Sequence, residues 1–220
     1  MQFGSSSVQL MKVLIVEDHP LVRACVRRDC LAIPDWSIVG ECASAAVALV
    51  LLAVRQSDLL ILDIGLPDDD GFTVAAAARA LRPSPAILVL TSYLNEFTLA
   101  QCERHRVQGF LDKAHSTEVE LGVALRAIEA GHTYFGTAYA AARKDWKADP
   151  RAIAKRLSDH EVRILSLIAR GLDDREISDK VGAKPTTVRT HRDHIRHKLG
   201  VHTTPQLMAF AVQRGFGGIH

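Results

Sequence analysis

Residues 11–18 read Met11-Lys12-Val13-Leu14-Ile15-Val16-Glu17-Asp18, a compact apolar run rich in β-branched residues that stops on two acids. A run of this kind, without polar alternation, suits a strand buried on both faces, as strands are in parallel sheets covered by helices. Working outward, similar runs recur at 37–42, 59–62, 86–90 and 109–111, and between them residues 21–31, 45–55, 73–81, 96–104 and 118–130 carry helical spacing. Five strands alternating with five helices predict an α/β, doubly wound, five-stranded parallel sheet with right-handed crossovers. Its ligand crevice belongs at the carboxyl ends of the strands.

The alternation stops near Gly131. Residues 132–154 read as a linker, with one helical turn around 139–144, and from Leu157 onward the chain reads as short helices only. Ser158-x-x-Glu161 is a capping box that opens a helix over 159–169, closed by Gly171. Asp173 caps a second helix over 174–181, closed by Gly182. Pro185 opens a third, which runs to about Leu199 and is closed by Gly200, and Thr204-Pro205 starts a fourth that runs to about Arg214. The expected architecture is an α/β domain over 11–131, the linker, and a small all-α domain over 155–217.

With 220 residues, 48% hydrophobic and 24% charged, the composition is that of a globular chain and excludes a disordered or collagen-like one. Its apolar stretches fall far short of the ~20 residues that span a bilayer, and residues 1–7 lack the basic and apolar parts of a signal peptide, so no membrane partner is expected. Cys25, Cys30, Cys42 and Cys102 form no CxxC and sit in apolar stretches, which suits reduced, buried thiols and a cytoplasmic location. The net charge of +2 hides a split. Residues 152–220 carry 12 Lys and Arg against 7 Asp and Glu, leaving 15 against 18 for the rest, and the basic piece also holds six of the ten histidines. That asymmetry points to a polyanion partner for the C-terminal domain.

Polar residues mark the strand ends. Glu17 and Asp18 follow the first strand, Asp63 the third, Thr91 and Ser92 the fourth, and Lys113 the fifth. In a doubly wound sheet these ends share one edge, so three carboxylates, a hydroxyl and an ammonium converge there. Carboxylates so close repel unless a cation offsets them. An all-oxygen donor set favours a hard ion, Mg²⁺ above all. The run Asp63-Ile64-Gly65-Leu66-Pro67-Asp68-Asp69-Asp70-Gly71 then looks like a nucleophilic aspartate on a tight loop.

The pair Glu17/Asp18, the DxxxPxxxG of Asp63 to Gly71, Thr91-Ser92 and Gly109-Phe110-Leu111-Asp112-Lys113, in this order, make residues 11–130 resemble the flavodoxin-like receiver domain of two-component response regulators. The resemblance implies that a histidine kinase phosphorylates Asp63, and that Glu17, Asp18, Asp63 and the Gly65 carbonyl hold Mg²⁺. It further implies that Lys113 and the Thr91 hydroxyl bind the phosphoryl oxygens, and that Phe110 is an aromatic switch residue. A haloacid-dehalogenase-type phosphatase also places an aspartate after a strand, but needs a second aspartate where Gly65 stands. The chain is therefore expected to be a phosphoryl acceptor that at most dephosphorylates itself, not an enzyme acting on external substrates.

In the basic domain, Leu157-Ser158-x-x-Glu161, Gly171-x-x-x-Arg175-Glu176-Ile177 and Thr187-Val188-Arg189-x-His191-x-x-x-Ile195-x-x-Lys198-Leu199-Gly200-Val201 resemble the LuxR-type helix-turn-helix of NarL/FixJ-type regulators. At 100° per residue Val188, Ile195 and Leu199 share one face of the third helix and Thr186, Arg189, Thr190, Asp193 and His197 the other, a shape suited to the major groove of double-stranded DNA. Arg189, Thr190 and Asp193 are expected to read base edges, with Lys184, Thr186, Arg192, Arg196 and Lys198 nearer phosphates. His191, His194 and His197 recur every three residues, but they sweep around the helix and no cysteine or HExxH completes a zinc site. The last helix offers Leu207, Met208, Phe210 and Ala211. The family reading makes these a homodimer interface that sets two recognition helices on paired half-sites. The alternative function is a DNA-binding regulator whose receiver is a dimerisation module needing no phosphate.

Overall fold

The computed structural model describes residues 10–150 and 152–216; residues 1–9, 151 and 217–220, and with them the polar start and the last residue of the expected helical domain, lie outside the described residues. The chain divides into two units, one of residues 1–93 and 105–139, the other of residues 94–104 and 140–220.

In chain order the first unit holds β1 (Met11–Val16), α1 (Pro20–Leu31), β2 (Trp36–Cys42), α2 (Ala45–Val54), β3 (Leu59–Leu62), α3 (Gly71–Ala80) and β4 (Ala86–Thr91). After α4 (Glu96–Arg104), which groups with the second unit, it continues with β5 (Gly109–Asp112), α5 (Glu118–Glu129) and β6 (Tyr134–Phe135). The strands form one parallel sheet in the order β2-β1-β3-β4-β5-β6. Every residue of β3 and β5 is buried, as strands between two helical layers require; β3 is wholly apolar and β5 ends on Asp112. The sheet thus has six strands rather than the expected five. Tyr134 and Phe135 pair with Gly109 and Phe110, and a two-residue strand is too short to leave a periodic trace. The helices start at polar caps: Ser44 accepts from Val47 N, Asp70 from Phe72 N and Thr117 from Glu120 N.

A second correction concerns the linker. Residues 137–148 form a full helix, α6 (Thr137–Ala148), where one turn was expected, and α7 (Ile153–Arg156) follows. Only Tyr139 of α6 is buried, so the segment lacks an apolar stripe, but its alanines, lysines and arginine favour helix without one. Among the four free cysteines, Cys30, Cys42 and Cys102 are buried as expected, whereas Cys25 is exposed. The inward positions of α1 are Val26 and Cys30, four apart, and Cys25 lies one residue, or about 100°, off that stripe. No helix among the described residues is long and apolar enough to cross a membrane.

The second unit joins α4, residues 140–148 of α6, and α7 to α8 (Asp159–Ala169), α9 (Asp174–Val181), α10 (Pro185–Leu199) and α11 (Thr204–Gln213). The boundaries follow local chemistry. Ser158 and Asp173 each close a capping box, Gly182 and Gly200 take the left-handed conformation that ends α9 and α10, and Pro185 stands in the first turn of α10. α11 starts at Thr204, as read from sequence, and its cap is Thr203, which boxes with Gln206. Ile164, Leu165, Ile177, Val188, Ile195, Leu207 and Ala211 are fully buried and form the unit's core. α4 is bound within this unit by Glu103 to Arg143 and Lys147, by Arg104 to Asp159 at 3.3 Å, and by Phe97 on Phe216 at 5.4 Å.

Glu161 carries more than a cap. Only 4% exposed, it receives Ser158 N at 2.7 Å and Lys198 Nζ at 2.7 Å. Burial opposes its charge, but Lys198 and Ser158 outweigh burial and hold the carboxyl below its ordinary pKa. A depressed carboxyl adds stability that is present above the unfolded value, about 4.5, and is lost as pH falls through the folded one. Thermal melts from pH 7 down to pH 3 should therefore show this loss in the wild type and a flatter profile in Glu161→Gln. At neutral pH that variant should lose roughly 1–2 kcal/mol. Parallel profiles would assign the acid sensitivity to another group.

Candidate functional site

The carboxyl ends of β1, β3 and β5 deliver Glu17 and Asp18, Asp63, and Lys113 to one edge of the sheet. One oxygen from each of Glu17, Asp18 and Asp63 lies within 4.8 Å of the others, and among the described residues this is the one such group of three possible metal ligands. Glu17 and Asp63 are buried and Asp18 is exposed. Lys113 Nζ bridges the buried pair, 2.6 Å from Asp63 Oδ2 and 2.8 Å from Glu17 Oε1. Glu17 Oε2, although 2.6 Å from the same ammonium, is buried without a well-directed hydrogen bond. Burial pushes the Glu17 carboxyl above the ordinary carboxylate range, with Lys113 pulling it down and Asp63 pushing it up. Burial also works against the Lys113 charge, but Asp63 and Glu17 outweigh it and raise the pKa of the lysine.

The loop after β3 is held tightly. Gly65 N donates to Asp63 Oδ1 at 3.0 Å, Gly65 and Asp70 form an antiparallel bridge, and Gly71 N donates to Ile64 O at 3.0 Å. Thr91, at the end of β4, is fully buried; its carbonyl accepts from Lys113 N at 3.0 Å and its hydroxyl from Tyr93 N at 3.4 Å. Phe110 is fully buried in β5. Two supporting residues escaped the sequence reading. Arg23 Nη1 donates to the carbonyls of Glu17 at 2.6 Å and Asp18 at 3.3 Å, and so fixes the peptide planes of the acidic pair. The Asp68 carboxylate accepts from Ala45 N and Ala46 N, both at 2.8 Å, and ties the loop after β3 to the start of α2.

These donors fit a hard divalent ion. All are oxygens, their negative charge exceeds that of the one lysine between them, and one buried oxygen lacks a proper donor.

On the second unit, Lys184, Thr186, Arg189, Thr190 and Asp193 are exposed along α10, while Val188, Ile195 and Leu199 are buried behind them. Three of the residues expected nearer phosphates make ion pairs within the unit. Arg192, its side chain 16% exposed, is ion-paired with Asp174 of α9. Lys198 is paired with Glu161 of α8, and Arg196 with Asp193 at 2.9 Å. Arg192 and Lys198 thereby brace α10 against its neighbours. The histidines of α10 do not gather: His191 instead packs edge-on against His160 of α8 at 4.8 Å. The expected dimer face is corrected too. Leu207 and Ala211 are fully buried in the unit's own core against α8, which leaves Met208 and Phe210 half-buried and Val212 exposed.

The fold agrees with what comparison with known proteins shows. Residues 13–125 match the response regulator receiver domain family, and residues 155–211 match the luxR family of bacterial regulatory proteins. The chain is a LuxR-family response regulator. It is 33% identical over 207 residues to a chain of Pseudomonas aeruginosa named as a transcriptional regulator, covering 92% of this chain and 97% of that one. It is 30% identical over 203 residues to the virulence-factor transcription regulator BvgA of Bordetella pertussis, covering 91% and 96%. Among solved structures it resembles RcsB of Salmonella enterica serovar Typhimurium bound to promoter rprA in the presence of the phosphomimetic BeF3-, with a TM-score of 0.71 and 26% identity over 91% of this chain and 98% of that one. The regulator thus pairs a receiver domain with a LuxR-type DNA-binding domain and serves transcription regulation.

Proposed function

We propose that a histidine kinase phosphorylates Asp63 of this regulator in a Mg²⁺-dependent reaction, and that the acyl phosphate changes the affinity of the C-terminal domain for double-stranded DNA in the cytoplasm. The observation that carries the reading is the convergence of Glu17, Asp18 and Asp63 on one point with Lys113 bridging two of them. Asp63 Oδ2 forms the new P–O bond as the P–N bond of the phosphohistidine breaks, and the departing imidazole nitrogen regains a proton. The chemistry a bound Mg²⁺ supplies is charge neutralisation at the transferred oxygens. Glu17, Asp18, Asp63 and the Gly65 carbonyl are the groups to hold it.

The Lys113 ammonium, already beside Asp63, stays within reach of a phosphoryl oxygen, and the Thr91 hydroxyl is the neutral donor. The regulator turns over no external phosphoester in this reading. On DNA, Arg189, Thr190 and Asp193 read base edges, Lys184 and Thr186 lie nearer the backbone, and a homodimer forms on paired half-sites through the exposed parts of Met208 and Phe210. RcsB, solved on a promoter with a phosphomimetic, supports joining the two halves in one mechanism.

The test is labelling of the full chain with a radioactive small acyl phosphate donor. Hydroxylamine-sensitive label is expected in Mg²⁺ and should fall at least about a hundredfold in excess chelator. Equal labelling in chelator would remove the metal from the mechanism.

A further inference from the structure

The buried Tyr139 has no part in the chemistry above, yet it touches the one residue expected to register that chemistry. Its ring centroid lies 4.7 Å from that of Phe110, tilted by 32°, and 4.9 Å from that of Phe135, stacked at 20°; only 2% of the residue is exposed. The segment leading to it is fastened to the switch strand. Tyr134 N donates to Gln108 O at 2.9 Å, Gly136 N donates to Phe110 O at 3.1 Å, and β6 pairs Phe135 with Phe110. Tyr139 stands in the first turn of α6, a helix that begins in the first unit and continues into the second.

Beside the two rings is a cavity of about 30 Å³ whose walls include Phe110, Asp112, His115, Gly136, Thr137 and Tyr139. Close-packed side chains do not turn without free volume, and this cavity supplies it next to both rings.

We propose that Tyr139 is the residue through which the position of Phe110 reaches α6. It is a positioning residue, since it touches neither metal nor phosphoryl group. The inference rests on the reading that phosphorylation of Asp63 controls DNA binding, and names how that site is heard. Once the Thr91 hydroxyl is drawn to a phosphoryl group, Phe110 turns, its tilted ring contact with Tyr139 is lost, and the first turn of α6 refits. A switch of this kind needs two arrangements of one packed element, and the free volume beside the paired rings leaves room for a second one.

The test uses the full chain with a duplex that wild-type protein selects from a randomised DNA pool. Wild type should change its affinity for that duplex by about 5–150-fold on treatment with a small acyl phosphate donor and Mg²⁺. Tyr139→Phe should keep that ratio. Tyr139→Ala and Tyr139→Leu should bring it to near unity while acyl phosphate formation stays at the wild-type level. Tyr139→Leu retains buried apolar volume and covers the case in which the alanine variant does not fold. As an independent readout, 3-fluorotyrosine labelling gives one ¹⁹F signal for each of the 3 tyrosines. The signal absent from Tyr139→Phe should move on phosphorylation.

A wild-type ratio that survives in Tyr139→Leu, with an unmoved Tyr139 signal, overturns the inference alone. A wild type that shows no ratio at all overturns the reading of the function and this inference with it.

Discussion

Asp63→Ala is expected to abolish acyl phosphate formation, reducing hydroxylamine-sensitive label at least about a thousandfold, while the chain stays folded. Asp63 is only 4% exposed and is the buried aspartate of the group formed with Glu17 and Asp18, held by Gly65 N and facing Lys113. No neighbour can take its place: Glu17 shares the lysine but is fixed by its own contacts with His19 N and Lys113, and Asp18 faces solvent. Folding should survive because the deletion leaves Lys113 with one buried carboxylate in place of two, so no charge becomes unpaired. The melting temperature should shift little. Labelling that persists in the variant would place the phosphoryl group on another residue.

Gly71→Ala is expected to be the most damaging single methyl in the receiver. A Cβ at Gly71 would stand 2.4 Å from the Asp63 carbonyl oxygen and 2.6 Å from Ile64 Cα, both backbone atoms that cannot rotate aside. The start of α3 has to move away or the loop after β3 has to open. Overpacking of this kind costs about 3 kcal/mol, or roughly 6–12 °C in melting temperature for a chain of this length. Because the collision is with Asp63 itself, labelling should fall along with stability. A variant with wild-type melting and labelling would mean that the loop closes less tightly than these distances state.

Gly71 also shows where sequence reading reaches its limit. Its place in the DxxxPxxxG pattern was legible, but the reason for a glycine, close approach of α3 to the backbone of Asp63, is a matter of three-dimensional packing. Strand β3 and the start of β5 were legible because full burial leaves short apolar runs, and α8 and α9 because both ends carry capping chemistry. Glu17, Asp63 and Lys113 could be brought together on paper because a parallel sheet sends the ends of its strands to one edge. Arg23 and Asp68 could not, since their partners are backbone carbonyls and amides that leave no mark on side-chain patterning. Arg192 and Lys198 look like phosphate contacts on a helical wheel. The acids that pair with them, Asp174 and Glu161, come from other helices and are placed only by packing, so those pairs could not be read from the wheel. On α11 the apolar positions were clear, but which of them turn into the core was not: Leu207 and Ala211 do, Val212 does not.

The most direct test of the account is the affinity of the full-length regulator for its selected duplex, measured with and without a small acyl phosphate donor, each in Mg²⁺ and in chelator. The account expects the affinity to change only where donor and Mg²⁺ are both present, and not at all in Asp63→Ala. Equal affinity in all four conditions would contradict it and leave a regulator that binds DNA without hearing its receiver.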